Sequence, residues 1–266
     1  MDNQSAQIRK KAVISHHLKA DLFAKRYKEM SGNPYASAFA YGRKKIFEFL
    51  FPLLEFKLRP GAEILDVGAG TGFLTRKLSE AGYNVKAVEP AQAMREKAKR
   101  LNPGVEVFGS FVSNLPFPDN SFDAVIALEV FRYLPKGDII KGYSECLRIL
   151  KPGGILFVTL ANKYALDGFF FSYYLKLLGE KLFRQPLPNY CNFTTPRATK
   201  KIFKEKFGLE AKTYGVLFAP IRIVYKVIPF LGEKMAREIE GLDNWLSRKK
   251  WWQPFAGHLI AVVKKT

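Results

Sequence analysis

The chain has 266 residues with 48% hydrophobic composition, and its 43 Lys and Arg outnumber its 24 Asp and Glu to give a formal net charge of +19. This length and apolar content suffice for the buried core of one large domain or two small ones, and no internal repeat or low-complexity tract is evident. Residues 1–5 lack the apolar run of a secretory signal, so a cytoplasmic location is predicted.

The cysteines and histidines do not have the spacing of a metal site or a redox motif. Cys146 and Cys191 are far apart in the chain, which fits a reduced, cytoplasmic setting. His258 begins a predicted final strand, and we interpret it as a structural residue. No metal site is predicted from the three histidines, which are His16, His17 and His258.

The excess positive charge is concentrated in the two ends of the chain. Residues 1–59 contain 12 basic and 5 acidic residues, and residues 161–266 contain 19 and 8, whereas residues 60–160 contain 12 and 11. A nearly neutral centre between basic flanks indicates that the flanks face a negatively charged partner.

Two helices are predicted before the first strand, over residues 8–30 and 36–57. In the second, apolar residues recur at helical spacing, at Ile46, Phe49, Leu50, Leu53 and Leu54. The run Ser31-Gly32-Asn33-Pro34 separates the two helices, because Gly and Pro both interrupt helical backbone.

From Glu63 onwards the pattern changes to alternating strands and helices, which is typical of right-handed βαβ units and a parallel sheet. In the first unit, a short apolar strand that carries Asp66 ends in Gly68-Ala69-Gly70-Thr71-Gly72, and a helical pattern over 72–81 follows at once. Glycines suit a turn where φ is positive or where a ligand approaches the backbone closely.

This turn alone does not distinguish two kinds of nucleotide ligand. A dinucleotide site has Gly-x-Gly-x-x-Gly and an acidic residue about 20 positions on. Here Phe73 occupies the place of the third glycine, which falls one position early at Gly72. The acidic residue is Glu89, at the end of the second strand over 83–89, where a carboxylate can accept both hydroxyls of a ribose. Glu89 therefore indicates a nucleoside without specifying which one.

Two later segments narrow the choice. Residues 114–123 lead into an apolar strand over 124–128, and residues 147–154, which end in Lys-Pro-Gly-Gly, lead into a strand over 155–159. With the glycine turn and Glu89-Pro90, these motifs resemble the class I S-adenosylmethionine-dependent methyltransferases. The resemblance is closest to the branch that methylates ubiquinone and menaquinone precursors and other small molecules. It implies a Rossmann-like, doubly wound α/β fold with a seven-stranded sheet, in which six strands are parallel and strand seven is antiparallel beside strand six.

The resemblance also implies S-adenosylmethionine as the cofactor. Asp66 would bind its ammonium group, the backbone of Gly68 and Gly70 would lie against the methionyl part, and Glu89 would bind the ribose. Where the family often has Gly-Asp-Ala, this chain has Gly109-Ser110-Phe111, so a weaker acceptor and an apolar wall would meet the adenine. The complete predicted set is Tyr27, Asp66, Gly68, Ala69, Gly70, Gly72, Glu89, Pro90, Ser110, Phe111 and Glu129.

Some of these residues have a simpler interpretation. Asp66 could only cap the following turn, and Glu89 could be a surface carboxylate. Tyr27 belongs to a segment, 20–27, that resembles the N-terminal lid of the family, and Arg43 is a further candidate for the cofactor carboxylate. Met94, on the helix predicted over 91–101, is predicted as a core residue.

The segment after strand four contains the candidate catalytic residues. Related quinone methyltransferases often have Glu-x-x-x-His or His-His there, whereas this chain has Glu129-x-x-x-Tyr133 with Arg132 between them. A base is needed only when the nucleophile must lose a proton. Glu129 or Tyr133 is the predicted proton acceptor, and Arg132 is predicted to neutralise an acidic substrate or phenolate. The alternative is that Glu129 contacts only the cofactor and that Tyr133 only packs.

The remaining elements complete the sheet and add two inserts. Further strands are predicted over 105–108, 209–216 and 258–264, and further helices over 137–150 and 196–207. The inserts, at 163–190 and 217–255, leave the carboxyl ends of strands five and six and combine aromatic with basic residues. Because ligands in open α/β sheets bind beyond those strand ends, both inserts are predicted to cover the substrate.

We therefore predict a methyltransferase that acts on a small hydrophobic or acidic acceptor, such as a quinone precursor, a phenol or a lipid-like molecule. An anionic membrane surface is a second predicted partner, whereas nucleic acid fits less well. The alternatives are an RNA methyltransferase and a non-catalytic cofactor-binding protein. Within one structural domain, 1–59 form a helical lid, 60–162 the cofactor-binding core, and 163–266 complete the sheet and carry the inserts.

Overall fold

The computed structural model describes residues 3–183 and 190–266. Strands and helices alternate from the first strand onwards, after an all-helical beginning. The strands are Glu63–Val67 (β1), Asn84–Val88 (β2), Val107–Phe108 (β3), Phe122–Ala127 (β4), Leu150–Asn162 (β5), Phe193–Thr194 (β6), Ala211–Val216 (β7) and His258–Lys264 (β8). The helices are Asn3–Leu18 (α1), Ala20–Gly32 (α2), Ala38–Lys57 (α3), Phe73–Glu80 (α4), Gln92–Leu101 (α5), Lys136–Ile149 (α6), Phe169–Phe183 (α7), Pro196–Phe207 (α8), Ile221–Val227 (α9) and Pro229–Ser247 (α10).

The sheet has the strand order β3-β2-β1-β4-β5-β8-β7. The neighbours from β3 to β5 pair in parallel, and β8 lies antiparallel between β5 and β7. This confirms the predicted α/β fold and the antiparallel last strand. The sheet contains one more strand than predicted, because the two residues of β6 pair with the end of β5. Two residues are too few to show the alternation by which a strand is recognised in a sequence.

Both faces of the sheet are covered, so the strands alternate between two apolar clusters. In β1, Leu65 and Val67 pack with residues of α6 and α8 on one face. Ile64 packs on the other face with Leu50 of α3 and Leu78 of α4. This two-sided burial explains why the strands are almost continuously apolar, as is usual in a parallel sheet.

The N-terminal segment contains two helices where one was predicted over 8–30. Helix α1 ends at Leu18 and α2 begins at Ala20, and the backbone of Lys19 between them has φ −100° and ψ 10°. Neither Gly nor Pro marks this break, so the sequence does not signal it. The break allows α1 to pack against α5 and the 3₁₀ turn Phe131–Tyr133, while α2 packs against α3 and α5.

The two inserts are helical, as predicted. The first insert contains α7. Residues 184–189 of this insert lie outside the described residues. The second contains α9, α10 and the 3₁₀ segment Lys250–Phe255. In the parts of the chain that the structure describes, no helix is long and apolar enough to cross a membrane.

Candidate active site

A deep cavity opens where the carboxyl ends of β1, β2 and β4 meet the N-terminal helices. Its empty volume is about 1110 Å³ including its mouth. The glycine turn after β1 forms its floor, and residues of α1, α2 and α3 close it from the other side. This position, beyond the carboxyl ends of parallel strands, is where open α/β sheets bind ligands.

Asp66 is the buried acidic group of this cavity. Its side chain is only 2% exposed, and its Oδ2 accepts a hydrogen bond of 2.7 Å from the hydroxyl of Thr75. Burial raises the pKa of Asp66 to about 7, although the bond from Thr75 opposes the shift. A carboxyl group whose pKa lies near neutrality can lose its proton when a positively charged group of a ligand binds beside it.

Glu89 connects the end of β2 to the glycine turn. One of its carboxylate oxygens accepts a hydrogen bond of 2.9 Å from the backbone N–H of Gly70, and the other accepts one of 2.8 Å from the N–H of Ala91. Burial raises the pKa of Glu89, and these two bonds oppose the rise. A carboxylate has about four lone-pair sites, so two bonds leave capacity for hydroxyl donors of a ligand.

Gly70 and Gly72 of the turn are required to be glycine for different physical reasons. Both have positive φ, 56° at Gly70 and 83° at Gly72. A Cβ on Gly70 would meet no atom within 4 Å, so a side chain there would extend into open space beside the cavity. A Cβ on Gly72 would lie 2.5 Å from Nδ2 of Asn102 and 2.8 Å from Cα of Ala98. Gly70 therefore leaves room for a ligand, whereas Gly72 allows α4 to pack closely against α5.

Glu129 is held in place by three neighbours. Its backbone has a φ of 63°, and its N–H donates a 2.7 Å hydrogen bond to Oγ1 of Thr159. The carboxylate is ion-paired with Arg132 and lies 3.1 Å from Nδ1 of His258. Burial alone would raise the pKa of Glu129, but His258 and Arg132 outweigh it and hold the pKa well below the usual value. Glu129 therefore faces the cavity as a carboxylate at neutral pH.

Behind Glu129, His258 belongs to a chain of polar contacts that ends on α9. Its Nε2 lies 3.2 Å from the guanidinium of Arg222, which is ion-paired with Asp167. Since a guanidinium only donates, Nε2 accepts and Nδ1 carries the proton that is donated to Glu129. His258 does not line the cavity, but it contacts Glu129, which does.

Helices α2 and α3 contribute Tyr27 and Arg43 to the cavity wall. The ring of Tyr27 stacks on Phe73, with centroids 4.6 Å apart and planes at 11°. Burial raises the pKa of Tyr27, so its hydroxyl stays protonated at neutral pH. Nη1 of Arg43 is buried and has no hydrogen-bond partner among the described residues. An unsatisfied buried donor of this kind is costly unless a ligand atom accepts from it.

The structure gathers most of the predicted site residues around this one cavity. Gly72 and Arg132 are the exceptions and do not line it, since Gly72 packs on α5 and Arg132 lies behind Glu129. Met94, predicted as a core residue, is buried in the core and also lines the cavity. The predicted residues that line it are Tyr27, Asp66, Gly68, Ala69, Gly70, Glu89, Pro90, Ser110, Phe111, Glu129 and Tyr133.

The sequence analysis missed His16, which α1 places in the cavity wall. Its Nδ1 lies 2.8 Å from the backbone carbonyl of Ala12, so Nδ1 carries the proton and Nε2 is the acceptor. Its ring meets Tyr133 edge to face, with centroids 4.8 Å apart. Burial lowers the pKa of His16, which keeps the imidazole neutral at pH 7. No motif marks this histidine, because it reaches the site only through the packing of α1.

Comparison with known proteins gives a family match for the strand-and-turn side of the cavity. Residues 65–158 match the family model described as a methyltransferase domain. This part of the chain is therefore similar to a methyltransferase domain. The matched residues include most of β1, all of β2 to β4 and the first part of β5, and with them the glycine turn, Glu89 and Glu129.

Curated relatives are similar to this methyltransferase domain and not to the whole chain. A demethylmenaquinone methyltransferase of Renibacterium salmoninarum is 40% identical over 38% of this chain and 41% of its own length. A sterol 24-C-methyltransferase of Gibberella zeae is 38% identical over 37% of this chain and 27% of its own length. The chain thus spans less than half of the length of either relative.

Solved structures show the same fold at low sequence identity. The magnesium protoporphyrin IX methyltransferase of Synechocystis PCC 6803 superposes with a TM-score of 0.55 at 16% identity, covering 82% of this chain and 80% of that one. A putative methyltransferase of Haloferax volcanii gives a TM-score of 0.56 at 18% identity, covering 92% of this chain and 94% of that one. The fold is therefore shared well beyond the matched domain.

Proposed function

We propose that the protein binds S-adenosylmethionine in the cavity and transfers its methyl group to a small hydrophobic or acidic acceptor. One observation carries this proposal: a single cavity contains the buried carboxyls of Asp66 and Glu89 together with the guanidinium of Arg43. These are the charges that complement an amino acid joined to a nucleoside.

The residues present fit this cofactor group by group. Asp66 matches an ammonium group, and the free lone pairs of Glu89 match two ribose hydroxyls. The buried, unpartnered Nη1 of Arg43 matches a carboxylate. Gly70 leaves the backbone open to close approach, since a Cβ there would project into empty space. When bound, the cofactor would supply an electrophilic methyl group on a sulfonium.

The residues of the chain would then orient the acceptor, exclude water and accept a proton. Helix α1 closes the cavity and is tied to α6 by the ion pair between Arg9 and Asp138, 2.6 Å long and largely buried. We assign the proton-accepting step, where the acceptor needs one, to Nε2 of His16, because Nδ1 is occupied by a carbonyl. Glu129, with its low pKa, suits a charged binding role better than proton uptake.

Tyr133 completes the proposed acceptor side. It lines the cavity next to His16, and the guanidinium of Arg132 lies 5.2 Å from its ring centroid. Because Arg132 does not line the cavity and is ion-paired with Glu129, we assign it to holding Glu129 and Tyr133 in place and not to direct contact with the acceptor.

A hydrophobic acceptor is supported by the rest of the cavity wall. Its lining includes apolar side chains from α1, α2 and the segments after β3 and β4, namely Val13, Phe23, Phe111, Val112, Leu128, Val130 and Leu134. Apolar walls with few polar groups are typical of sites for small organic ligands. The names of the relatives, which refer to demethylmenaquinone and to sterols, point to the same chemical class.

We further propose that the α9–α10 junction docks on an anionic membrane surface, from which a lipid-like acceptor would enter. Val227 is 70% exposed and Phe230 is 78% exposed at this junction, where Ile228 is also exposed. Lys226 and Lys234 flank these apolar tips. Apolar side chains beside lysines suit the boundary between lipid headgroups and acyl chains.

Isothermal titration with S-adenosylmethionine tests the cofactor assignment. We expect binding by the wild-type chain and a decrease in affinity of about tenfold or more for Glu89→Gln, since the charged acceptor is lost. The matched control is Glu96→Gln, an exposed α5 residue outside the cavity whose carboxylate accepts from Gln92. Absence of binding up to millimolar cofactor in a folded sample would refute the proposal.

A second experiment identifies the acceptor. The protein is incubated with methyl-labelled cofactor and a lipid extract of the source cells, and the labelled product is the methylated acceptor.

A further inference from the structure

A second groove runs along β7, the outermost strand of the sheet, and shares no lining residue with the methyltransferase cavity. It is wide and open, with an empty volume of about 2940 Å³. Helix α8 forms one wall, and the end of α10 with the following 3₁₀ segment forms the other. The proposed methyl-transfer reaction assigns no role to this groove.

The groove is strongly basic, and most of its positive charge has no acidic partner. Lys45 is neutralised by Glu48 and Glu240. Six other cations line the groove and have no carboxylate within 4 Å among residues 3–183 and 190–266, namely Arg197, Lys200, Lys204, Lys212, Arg248 and Lys250. The lining contains only two acidic residues, Glu48 and Glu210.

Three of these cations form a stripe along one side of α8. Arg197, Lys200 and Lys204 are spaced by three and four residues, which places them on the same face of a helix. All three are exposed. The neighbouring Lys201 does not line the groove, and it pairs with Glu205. The stripe therefore presents a continuous positive wall to the groove.

The floor of the groove is the free edge of a strand. β7 pairs with β8 on one side only, over its whole length from Ala211 to Val216. Within the described ranges, no backbone group outside the sheet makes a hydrogen bond to β7. A strand edge of this kind offers alternating N–H and C=O groups to another extended chain.

We propose that this groove binds an extended, acidic segment of a partner protein, which pairs with β7 as an added strand. The positive walls attract carboxylates, and the strand edge supplies both donors and acceptors to a peptide backbone. A nucleic acid matches the walls but not the floor, because its backbone presents phosphate acceptors and not the regularly alternating donors and acceptors that pair with a strand edge. Lys212, exposed on β7 itself, opposes pairing with a second copy of the same basic edge.

Fluorescence polarisation with designed peptides tests this proposal on the full chain. The probe is a blocked, labelled peptide of about eight residues with alternating Glu and Val, long enough to cover a strand of ordinary length. The control probe replaces each Glu with Lys. We expect binding of the acidic peptide only, weakened by added salt because exposed charges contribute to it.

Methylation of peptide nitrogens separates strand pairing from simple charge attraction. Two further acidic peptides carry N-methyl groups at either the odd or the even positions. Only alternate backbone groups of a strand face its neighbour. In a paired strand, one series should therefore lose binding while the other keeps it. Equal binding by both series would overturn strand pairing.

Reversing the charge of the three α8 residues tests whether the acidic peptide binds in the β7 groove. The triple variant Arg197→Glu, Lys200→Glu, Lys204→Glu should weaken the acidic peptide by about tenfold or more. The matched control is Lys99→Glu, Arg100→Glu, Lys141→Glu, which makes the same change in net charge at exposed positions outside the groove. Circular dichroism and a thermal melt of each variant establish that it is folded.

Three outcomes would overturn the proposal. They are equal losses in both triple variants, no binding of the acidic peptide up to millimolar, and displacement of the peptide by a short polyuridine that binds more tightly. The last result would mean that the groove is a nucleic-acid site.

Discussion

Asp66 and Glu129 are both buried carboxyls in the same cavity, and their surroundings shift their pKa values in opposite directions. Burial raises the pKa of Asp66 to about 7, since its main partner is a neutral hydroxyl. The pKa of Glu129 is held low by the ion pair with Arg132 and by His258, despite burial. One carboxyl therefore titrates near physiological pH and the other stays charged. Environment, more than residue type, separates their chemistry.

If Asp66 binds the ammonium group as proposed, cofactor binding is expected to depend on pH. Below about pH 7 the group is protonated and neutral, and above it the carboxylate attracts an ammonium. We expect the affinity for S-adenosylmethionine to rise by about tenfold between pH 5.5 and 7.5, the size of one charge interaction. Titration calorimetry across this range, with Asp66→Asn as the comparison, measures the effect. A pH-independent affinity in the wild-type chain would contradict this role.

The same group has an opposite effect on the stability of the ligand-free chain. Its pKa in the folded state is raised above the unfolded value of 3.8, so the folded state binds the extra proton. The free energy of unfolding should therefore fall as pH rises from about 4 to 7, because stability decreases wherever the folded state binds more protons. Urea unfolding at several pH values should show a smaller decrease in Asp66→Asn.

His16 is expected to act as the proton acceptor for substrates that must lose a proton. In His16→Asn the side-chain amide can still donate to Ala12, but the acceptor Nε2 is absent. We expect kcat to fall by about a hundredfold, with cofactor affinity unchanged. In the wild-type chain, activity should rise as pH increases through a pKa below 6.5, since the neutral ring is the active form.

The neighbouring histidine provides the control for this variant. His17 accepts a hydrogen bond from the backbone of Ala93 and does not line the cavity, so His17→Asn should leave kcat unchanged. An NMR pH titration that follows the imidazole ring resonances measures the pKa of each histidine directly. If His16→Asn retains full kcat with an acidic acceptor, the assignment is wrong.

At the scale of elements, the turn between β1 and α4 combines a ligand site with a helix contact. Gly68 and Gly70 line the cavity, whereas Gly72 lies where α4 meets α5. Glu89, at the end of β2, fixes the turn through the N–H of Gly70. The proposed ligand site is thus built from two strand ends and held by one carboxylate.

Substitution of the glycines should separate packing from binding. Gly72→Ala would bring Cβ within 3 Å of Asn102 and Ala98 and would also strain a positive φ. We expect a loss of about 3 kcal/mol in the free energy of unfolding. Gly82→Ala is the control, because its φ of 84° is similar but its Cβ would meet nothing. It should lose about 1 kcal/mol, as measured by urea unfolding. Equal losses would show that backbone strain alone makes Gly72 necessary.

At the scale of the whole molecule, the basic flanks supply two separate surfaces. The α9–α10 junction follows the carboxyl end of β7. The cavity opens at the same side of the sheet, where the carboxyl ends of β1, β2 and β4 lie. The β7 groove lies along the side of the sheet. The positive charge of residues 161–266 is therefore divided between the α9–α10 junction, proposed to face lipid, and the β7 groove, proposed to bind a peptide.

Liposome flotation tests whether the α9–α10 junction docks on an anionic membrane. The wild-type chain should float with vesicles containing about a third anionic lipid and bind neutral vesicles weakly, because Lys and Arg add attraction to anionic headgroups. Val227→Ser with Phe230→Ser should abolish flotation. Phe56→Ser is the matched control, since Phe56 is 80% exposed but lies at the end of α3, near the amino end of β1. Equal losses in both variants would contradict specific docking by this junction.

The sequence alone determined the elements whose signals are local. Alternating apolar strands and helices predicted the sheet, because βαβ units have few alternative arrangements. The glycine turn, Asp66 and Glu89 were recognisable because each lies at the end of its own strand, and strand ends of a parallel sheet meet at one edge. The helix predicted over 196–207 likewise begins where expected, since Thr195 caps its first turn and Pro196 is its first residue.

Only the tertiary structure decided which distant groups meet. His16 reaches the cavity because α1 packs on α5, and His258 reaches Glu129 although 129 residues separate them. The state of Glu129, the free guanidinium edge of Arg43 and the open edge of β7 depend in the same way on packing between elements. The physical reason is that propensity and periodicity act over a few residues, whereas the charge, pKa and accessibility of a group depend on every neighbour that folding brings to it.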